Sequence, residues 1–202
     1  MEVARRVRCI LLPLVFSTSC ACKMQKLSTF HGVKQPTVVR PAELSSFPCL
    51  ADIDIQWGDM DAFRHVNNVR YFDYFQEARL KHGLKWDDQL KLIAPQEHLT
   101  SIMSGTGISV ILKSTSCKYI RPVEWPDTLT IGSRVSDYEQ AKGNVIFEYL
   151  AWSQRQSKVV AVGDAVMVMY DYSRRRPCPV PGALAALLAE EVRRTQEERR
   201  RQ

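Results

Sequence analysis

One feature constrains the fold more than any other: a predicted helix with aromatic residues on several faces. Asn67 or Asn68 can cap its start, and the helix is expected to run through VRYFDYFQEARLKH and to end at Gly83, a residue suited to a left-handed cap. Its aromatic residues are Tyr71, Phe72, Tyr74 and Phe75. A helix of this kind must be surrounded by protein, so the rest of the chain is expected to wrap around it.

Strand-like patterns lie on both sides of this helix. Before it, Ile53, Ile55 and Trp57 alternate with polar residues, which predicts a half-buried strand, and Gly58 to Arg64 form a loop. After it, residues 84–106 are less regular and are expected to hold a short helix or a lid. Alternation and turn residues then predict four strands near 108–119, 129–135, 145–149 and 159–172. Hairpin-like spacing favours antiparallel pairing, hence a two-layer α+β domain.

The domain boundaries follow from the same patterns. Residues 1–40 are predicted to be a targeting or disordered segment, 41–49 a linker, 50–182 the folded domain and 183–202 a C-terminal charged helix. That last helix carries its apolar residues on one side, namely Leu184, Leu187, Leu188 and Val192. Its end is expected to be solvated, with ion pairs between Glu190 and Arg194 and between Glu197 and Arg201.

The charge of the chain is concentrated at its N-terminus. The net charge is +6, and residues 1–40 supply all of it with seven basic residues and one acidic residue. A neutral remainder argues against a nucleic-acid partner, and no apolar run reaches the roughly 18 residues of a membrane span. The segment predicts a mitochondrial address. The alternatives are a secretory signal, or a cytoplasmic product if translation starts at Met24.

The six cysteines do not form a metal or disulfide pattern. They are Cys9, Cys20, Cys22, Cys49, Cys117 and Cys178, and no two have the CxxC spacing. We therefore expect neither a disulfide framework nor a structural zinc site, and no cofactor is predicted.

Polar residues that could carry chemistry cluster just before the aromatic helix. Asp59, Asp61, His65, Asn67 and Asn68 lie in the loop that leads into it. Free backbone N–H groups at a helix start can hold the oxyanion of a tetrahedral intermediate. A nearby carboxylate can attack a carbonyl or activate water. These parts suit acyl transfer without a metal, although the same residues are also suited to capping the helix.

The loop resembles the signature of the hotdog thioesterases of the 4-hydroxybenzoyl-CoA thioesterase and long-chain acyl-CoA thioesterase type. Their D-x-D-x-x-G-H-V-N-N-x-x-Y-like pattern corresponds to Asp59 through Tyr71 here. The likeness continues in Tyr119 to Val123, Pro126 to Leu129 and Met169 to Tyr172, and it covers roughly residues 50–182. It implies a hotdog fold, in which a curved antiparallel sheet wraps a long central helix.

The resemblance also implies an activity and its residues. Asp61 corresponds to the catalytic carboxylate, a nucleophile or general base for hydrolysis of an acyl-CoA thioester. The oxyanion-binding N–H falls near Asn68, and the pocket residues correspond to Asn67, His65 and Tyr71. A packing role for His65 and a loop or capping role for Asp59 are the favoured interpretations.

Other expectations of the resemblance are less specific. Lys142 lies near where some relatives bind coenzyme A phosphates, but it also suits an ordinary solvated turn. Arg64 departs from the pattern because a glycine usually stands there, and a positive φ would strain an arginine. A homodimer or homotetramer is implied. The competing functions are a hotdog dehydratase or hydratase, whose motifs are missing from the sequence, and a non-catalytic acyl-binding protein.

Overall fold

A computed structural model describes residues 41–94 and 105–201 of the chain. The strands are β1 (Cys49–Asp54), β2 (Ile108–Tyr119), β3 (Thr128–Glu139), β4 (Asn144–Ser153), β5 (Lys158–Asp171) and β6 (Arg176–Pro177). They form one antiparallel sheet in the order β1-β3-β4-β5-β2, with β6 added beside β5. The helices are α1 (Arg70–Ile93) and α2 (Gly182–Arg201). The four strands predicted after the helix are therefore confirmed.

Helix α1 is longer than predicted, so the expected stop at Gly83 is wrong. Gly83 is buried within the helix, which continues for ten more residues. Beyond it, Trp86 and Leu90 are also buried, at the three- and four-residue spacing that keeps one helical face against the sheet. Burial of these side chains outweighs the roughly 1 kcal/mol by which an interior glycine weakens a helix.

The aromatic residues of α1 pack mainly against the sheet of the same chain. Tyr71, Tyr74 and Phe75 are each at most 5% exposed, and Phe75 stacks on Tyr149 of β4 at 4.7 Å between ring centroids. This contact needs a glycine on β5, because a Cβ at Gly163 would lie 2.5 Å from the Phe75 ring. One sheet therefore covers most of the aromatic helix surface.

Helix α2 covers the edge of β3 that β1 leaves open. Strand β1 pairs with β3 only between the Cys49–Ser133 and Asp54–Thr128 positions. Farther along, Thr195 of α2 donates to the Val135 carbonyl at 3.1 Å. Leu184, Leu188 and Val192 are buried as predicted.

The predicted ion pairs at the end of α2 are only partly correct. Glu190 pairs with Arg194 at 2.6 Å, as expected. Glu197 pairs with Arg193 rather than with Arg201, and Arg199 pairs with Glu148 of β4. The helix end is thus attached to the sheet and is not wholly solvated.

Two predictions around β1 need correction. Part of the segment predicted as a linker packs on the sheet, where Leu44 and Phe47 are buried against β3 near Gly132. At the other end, β1 stops at Asp54, and Trp57 lies in a 3-10 turn and is 72% exposed. The prediction that Trp57 belongs to a half-buried strand is therefore wrong.

Some expectations fall outside the described part. Residues 1–40 and 95–104 are among these, so the targeting segment and much of the possible lid stay predictions. Within the residues that the structure does describe, no helix is long and apolar enough to cross a membrane.

Candidate active site

The loop that carries Asp61 is folded back on itself just before α1. The Asn67 N–H donates to the Asp59 carbonyl and the Asp61 N–H to the His65 carbonyl, each at 2.9 Å. Met60 and Val66 form an antiparallel bridge between these bonds. Because backbone hydrogen bonds close the loop on both sides, Asp61 has a defined position relative to the residues that open the helix.

Asp59 fixes this loop to α1. It is 5% exposed, and its carboxylate accepts hydrogen bonds from the Gln56 N–H at 2.8 Å and the Tyr74 hydroxyl at 3.0 Å. Arg70 pairs with its other oxygen at 2.8 Å. A buried carboxylate with all these partners holds structure together, in agreement with the loop or capping role expected for it.

Asp61 is held differently and keeps part of its carboxylate free. It is half-buried, and its Oδ1 accepts a hydrogen bond from the Phe63 N–H at 2.8 Å, as in an Asx turn. In the described part of the chain, its Oδ2 has no hydrogen-bond partner. One oxygen therefore orients the side chain, and the other can face a substrate or a water molecule.

Arg64 adopts the conformation that its position in the motif suggested. Its φ is +64°, in the left-handed region that favours glycine, and its N–H donates to the Asp61 carbonyl at 3.0 Å. The tight turn after Asp61 thus requires a positive φ, and an arginine supplies it at a conformational cost.

The start of α1 presents a backbone donor. The helix begins at Arg70 and its N-cap is Val69, so the predicted cap at Asn67 or Asn68 is wrong. The Asn67 side chain accepts from the Val69 N–H at 3.1 Å, and Tyr119 of β2 donates its hydroxyl to the Asn68 carbonyl at 2.9 Å. Among the described residues, the Asn68 N–H has no protein acceptor. It is available at the positive end of the helix.

Tyr71 and His65 support this region through packing. Tyr71 is 3% exposed, and its ring meets the ring of Tyr119 edge to face at 5.2 Å between centroids. Burial raises the pKa of the Tyr71 hydroxyl well above its ordinary value of 10.0, so the group is a neutral donor at neutral pH. His65 is half-buried and contributes its backbone carbonyl to the loop.

A groove runs beside the Asp61 carboxylate. Its volume is about 720 Å³, and its lining is formed by Trp57, Gly58, Met60, Asp61, Arg64, Glu124 and Trp125. The 120–127 loop closes one side, since the Val66 N–H donates to the Val123 carbonyl at 2.8 Å. In the part of the chain described, no three His, Cys, Asp or Glu side chains lie close enough to hold a metal ion.

Lys142 is not brought near Asp61 within the chain. It lies in the turn after β3, where it pairs with Glu139 at 2.7 Å and is 72% exposed. The Asp61 loop packs at the other end of β3, about 36 Å away when measured along the strand at roughly 3.3 Å per residue. Within one protomer, the arrangement is that of a solvated turn lysine.

Three residues that organise the site escaped sequence reasoning. Arg70 and Tyr74 stand one helical turn apart, and both bind Asp59. Their spacing on one face was a usable signal. Tyr119 contacts Asn68 across 51 residues, which no local pattern reveals.

Comparison with known proteins places this geometry in a family. A model described as the thioesterase-like superfamily matches residues 55–188. The long-chain acyl-CoA thioesterase FadM of Escherichia coli is 25% identical over 141 residues, covering 70% of this chain and 97% of FadM.

Solved structures agree on the fold. The PA5185 protein of Pseudomonas aeruginosa is 25% identical, with a TM-score of 0.56 over 73% of this chain and 94% of its own. A Thermus thermophilus thioesterase solved with coenzyme A and Zn is 22% identical, with a TM-score of 0.54 over 73% and 98%. The predicted hotdog fold is confirmed. Because the family model matches more than half of its residues, the chain belongs to the thioesterase-like superfamily.

Proposed function

We propose that this protein hydrolyses acyl-CoA thioesters to the free acid and coenzyme A. The observation that carries the proposal is that one loop, closed by backbone hydrogen bonds, holds both a carboxylate with one free oxygen and an N–H with no acceptor among the described residues. Asp61 provides the first and Asn68 the second. The similarity to an acyl-CoA thioesterase over nearly its whole length supports the same activity.

The proposed oxyanion site is the Asn68 N–H. When a nucleophile adds to the thioester carbonyl, its oxygen gains negative charge, and an N–H at the positive helix end stabilises that charge. The Tyr119 hydroxyl donates to the Asn68 carbonyl and so anchors the backbone directly after this N–H. Removal of one such donor costs roughly 100- to 1000-fold in kcat in other enzymes.

Asp61 has two chemically balanced roles. As a general base it takes a proton from water, which adds to the carbonyl; the C–S bond then breaks and the proton passes to the thiolate of coenzyme A. As a nucleophile it forms an acyl-aspartyl anhydride and releases the thiolate, and water then hydrolyses the anhydride. Label in the Asp61 carboxylate after a single turnover in H2¹⁸O would establish the nucleophilic route, because only attack of water on the aspartyl carbonyl of the anhydride puts it there.

The test is thiol release from acyl-CoA substrates of different chain length and from an aryl-CoA. The wild-type chain should release coenzyme A. Asp61→Asn, which keeps the size of the side chain, should lose most of kcat while its unfolding temperature stays close to wild type.

Two results would contradict the proposal. Thioester turnover by Asp61→Asn at near wild-type kcat would remove Asp61 from the mechanism. Tight binding of acyl-CoA by the wild-type chain with no release of thiol would instead support the non-catalytic acyl-binding alternative.

A further inference from the structure

A cavity separate from the Asp61 groove lies between the middle of α1 and the sheet. Its volume is about 230 Å³. Leu112 of β2, Met167 of β5 and Val145 of β4 form its floor, and they are direct neighbours across the three strands. On the helix side, Leu80 and Gly83 face it.

The cavity is apolar and has little to offer a charged ligand. Among the described residues that line it, Arg79 alone is charged, and its guanidinium is already engaged. It donates to the Tyr149 hydroxyl at 3.1 Å and lies 5.9 Å from that ring's centroid. Trp86 and Phe147 add aromatic surface. Without a free cation or a carboxylate, the lining fits an aliphatic group and neither a phosphate nor a metal ion.

Gly83 explains part of the space. A glycine inside a helix is about 1 kcal/mol less favourable than alanine, and this one lines the cavity without filling it. The residue that the sequence marked as a helix end thus lines the cavity and adds no side chain to it.

A continuous face of α1 connects the cavity to the start of the helix. Val69, Phe72, Gln76, Leu80 and Gly83 are spaced by three or four residues and therefore share one face. Val69 is 61% exposed and Phe72 is half-buried, so this face is only partly covered by the chain's own sheet. A ligand held at Asn68 could lie along it toward the cavity.

The distances along α1 give the length of such a ligand. At 1.5 Å of rise per residue, Gln76 lies about 12 Å and Gly83 about 22 Å beyond Asn68. An extended alkyl chain built from bonds of about 1.5 Å advances about 1.25 Å per carbon. The chain would reach the cavity mouth after about ten carbons. At about 30 Å³ for a water-sized group, the cavity takes about eight more.

We infer that this cavity binds the distal half of a long, unbranched acyl chain whose thioester lies at Asn68, an inference that rests on the proposed function. Acyl groups shorter than about ten carbons do not reach the cavity, so its shape affects only longer substrates. Val110 and Leu80 then become specificity residues.

The test compares variants that fill the cavity with one that does not. Val110→Phe adds a ring from the half-buried face of β2 that lines the cavity, and Leu80→Trp does so from α1. Ile111→Phe is the matched control, because the next residue of the same strand points to the opposite face of the sheet. Each is assayed with hexanoyl-, decanoyl- and hexadecanoyl-CoA.

The expected result is a change that depends on chain length. Loss of contact for two methylene groups should lower kcat/KM for hexadecanoyl-CoA by about tenfold or more in Val110→Phe and Leu80→Trp. Hexanoyl-CoA turnover should stay within about twofold of wild type. Equal losses at all lengths, or the same loss in Ile111→Phe, would overturn the inference.

Binding of nonhydrolysable thioethers separates the cavity from the chemistry. S-hexadecyl-CoA should bind Val110→Phe about tenfold more weakly than wild type, and S-hexyl-CoA should bind both equally. If no thioester is hydrolysed but this pattern is found, the cavity assignment stands and the proposed function fails. If thioesters are hydrolysed without the pattern, the cavity assignment alone fails.

Discussion

The Tyr74 hydroxyl donates to the Asp59 carboxylate at 3.0 Å, and this bond joins the second turn of α1 to the loop that carries Asp61. Arg70 binds the other oxygen of the same carboxylate from the first turn. The chain therefore uses one Asp of its D-x-D pair to position the loop, and the second remains open toward the groove.

We predict that Asp59→Asn destabilises the fold more than it impairs the chemistry. An amide keeps only one acceptor oxygen, so its NH2 group must face either the Gln56 N–H or Arg70, a donor where an acceptor is needed. This should lower the free energy of unfolding by about 1–3 kcal/mol. Turnover should fall much less than in Asp61→Asn. Urea unfolding and thiol release on the same preparations measure both effects.

The control for this prediction is Asp73→Asn. Asp73 also pairs with Arg70, at 3.1 Å, but its side chain is 60% exposed. An exposed pair contributes about 0–1 kcal/mol, so this variant should stay close to wild type. If both substitutions cost the same stability, the Asp59 carboxylate is not the loop anchor inferred from its contacts.

Arg64→Gly is expected to stabilise the protein. A left-handed φ costs an L-residue roughly 1–2 kcal/mol, while glycine loses about 0.5–1 kcal/mol through the greater freedom of its unfolded chain. The net gain is up to about 1.5 kcal/mol, and each kcal/mol raises Tm by about 2–4 °C for a chain of this size. Scanning calorimetry measures it. Ala62→Gly, in the same turn without a positive φ, should lower Tm, and a similar decrease in Arg64→Gly would refute the strain.

The sequence predicted the sheet better than the ends of its elements. Alternation was clearest in β4, which buries every second side chain. Strands β3 and β5 also bury neighbouring residues, and for them the turn residues between strands were the better signal. Gly83 was misread because a single glycine is a weak stop signal against continued apolar spacing. Trp57 was misplaced because alternation cannot show where a strand bends into a turn.

Long-range contacts in the site were beyond any local pattern. The motif located Asp61, Asn67 and Asn68 because they are close in sequence. The contact from Tyr119 to Asn68 and the one from Arg79 to Tyr149 join residues 51 and 70 positions apart. Such pairs depend on strand order and register, which the hydrophobic pattern of one sequence leaves open.

We predict that acid weakens the attachment of helix α2 to α1, because it protonates Glu191. Burial alone would raise the pKa of this carboxyl, but hydrogen bonds with His82 and Trp86 reverse the effect and hold it below the ordinary value of 4.5. A depressed pKa stabilises the fold fully above about pH 4.5, and the stabilisation is lost as pH falls through the folded-state pKa.

The variant Glu191→Gln should remove this dependence. Its free energy of unfolding should be lower than that of wild type at neutral pH, and the two values should converge as pH decreases below 4.5. Glu77→Gln, an exposed position on α1, should follow wild type at every pH. Chemical unfolding monitored by Trp fluorescence measures the difference, and a gap between Glu191→Gln and wild type that stays constant below pH 4.5 would contradict the assignment.

The last prediction is that the active unit contains at least two chains. Trp57, Phe63 and Trp125 lie around the Asp61 groove and are 72%, 80% and 47% exposed, an apolar surface of the kind that binds another protein. Among the described residues, strand β2 has a partner strand on one side only, and a two-fold arrangement would cover its other edge.

Light scattering with activity measured across dilution tests this assembly. The wild-type chain should scatter as a dimer or larger species, and Phe63→Ser should shift it toward the 23.1 kDa monomer with loss of turnover. Leu92→Ser is the matched control, because Leu92 is 82% exposed near the far end of α1. The Leu92→Ser substitution should change neither the mass of the assembly nor its activity. A wild-type chain that is fully active as a monomer would defeat the prediction, since the groove would then need no second chain to complete it.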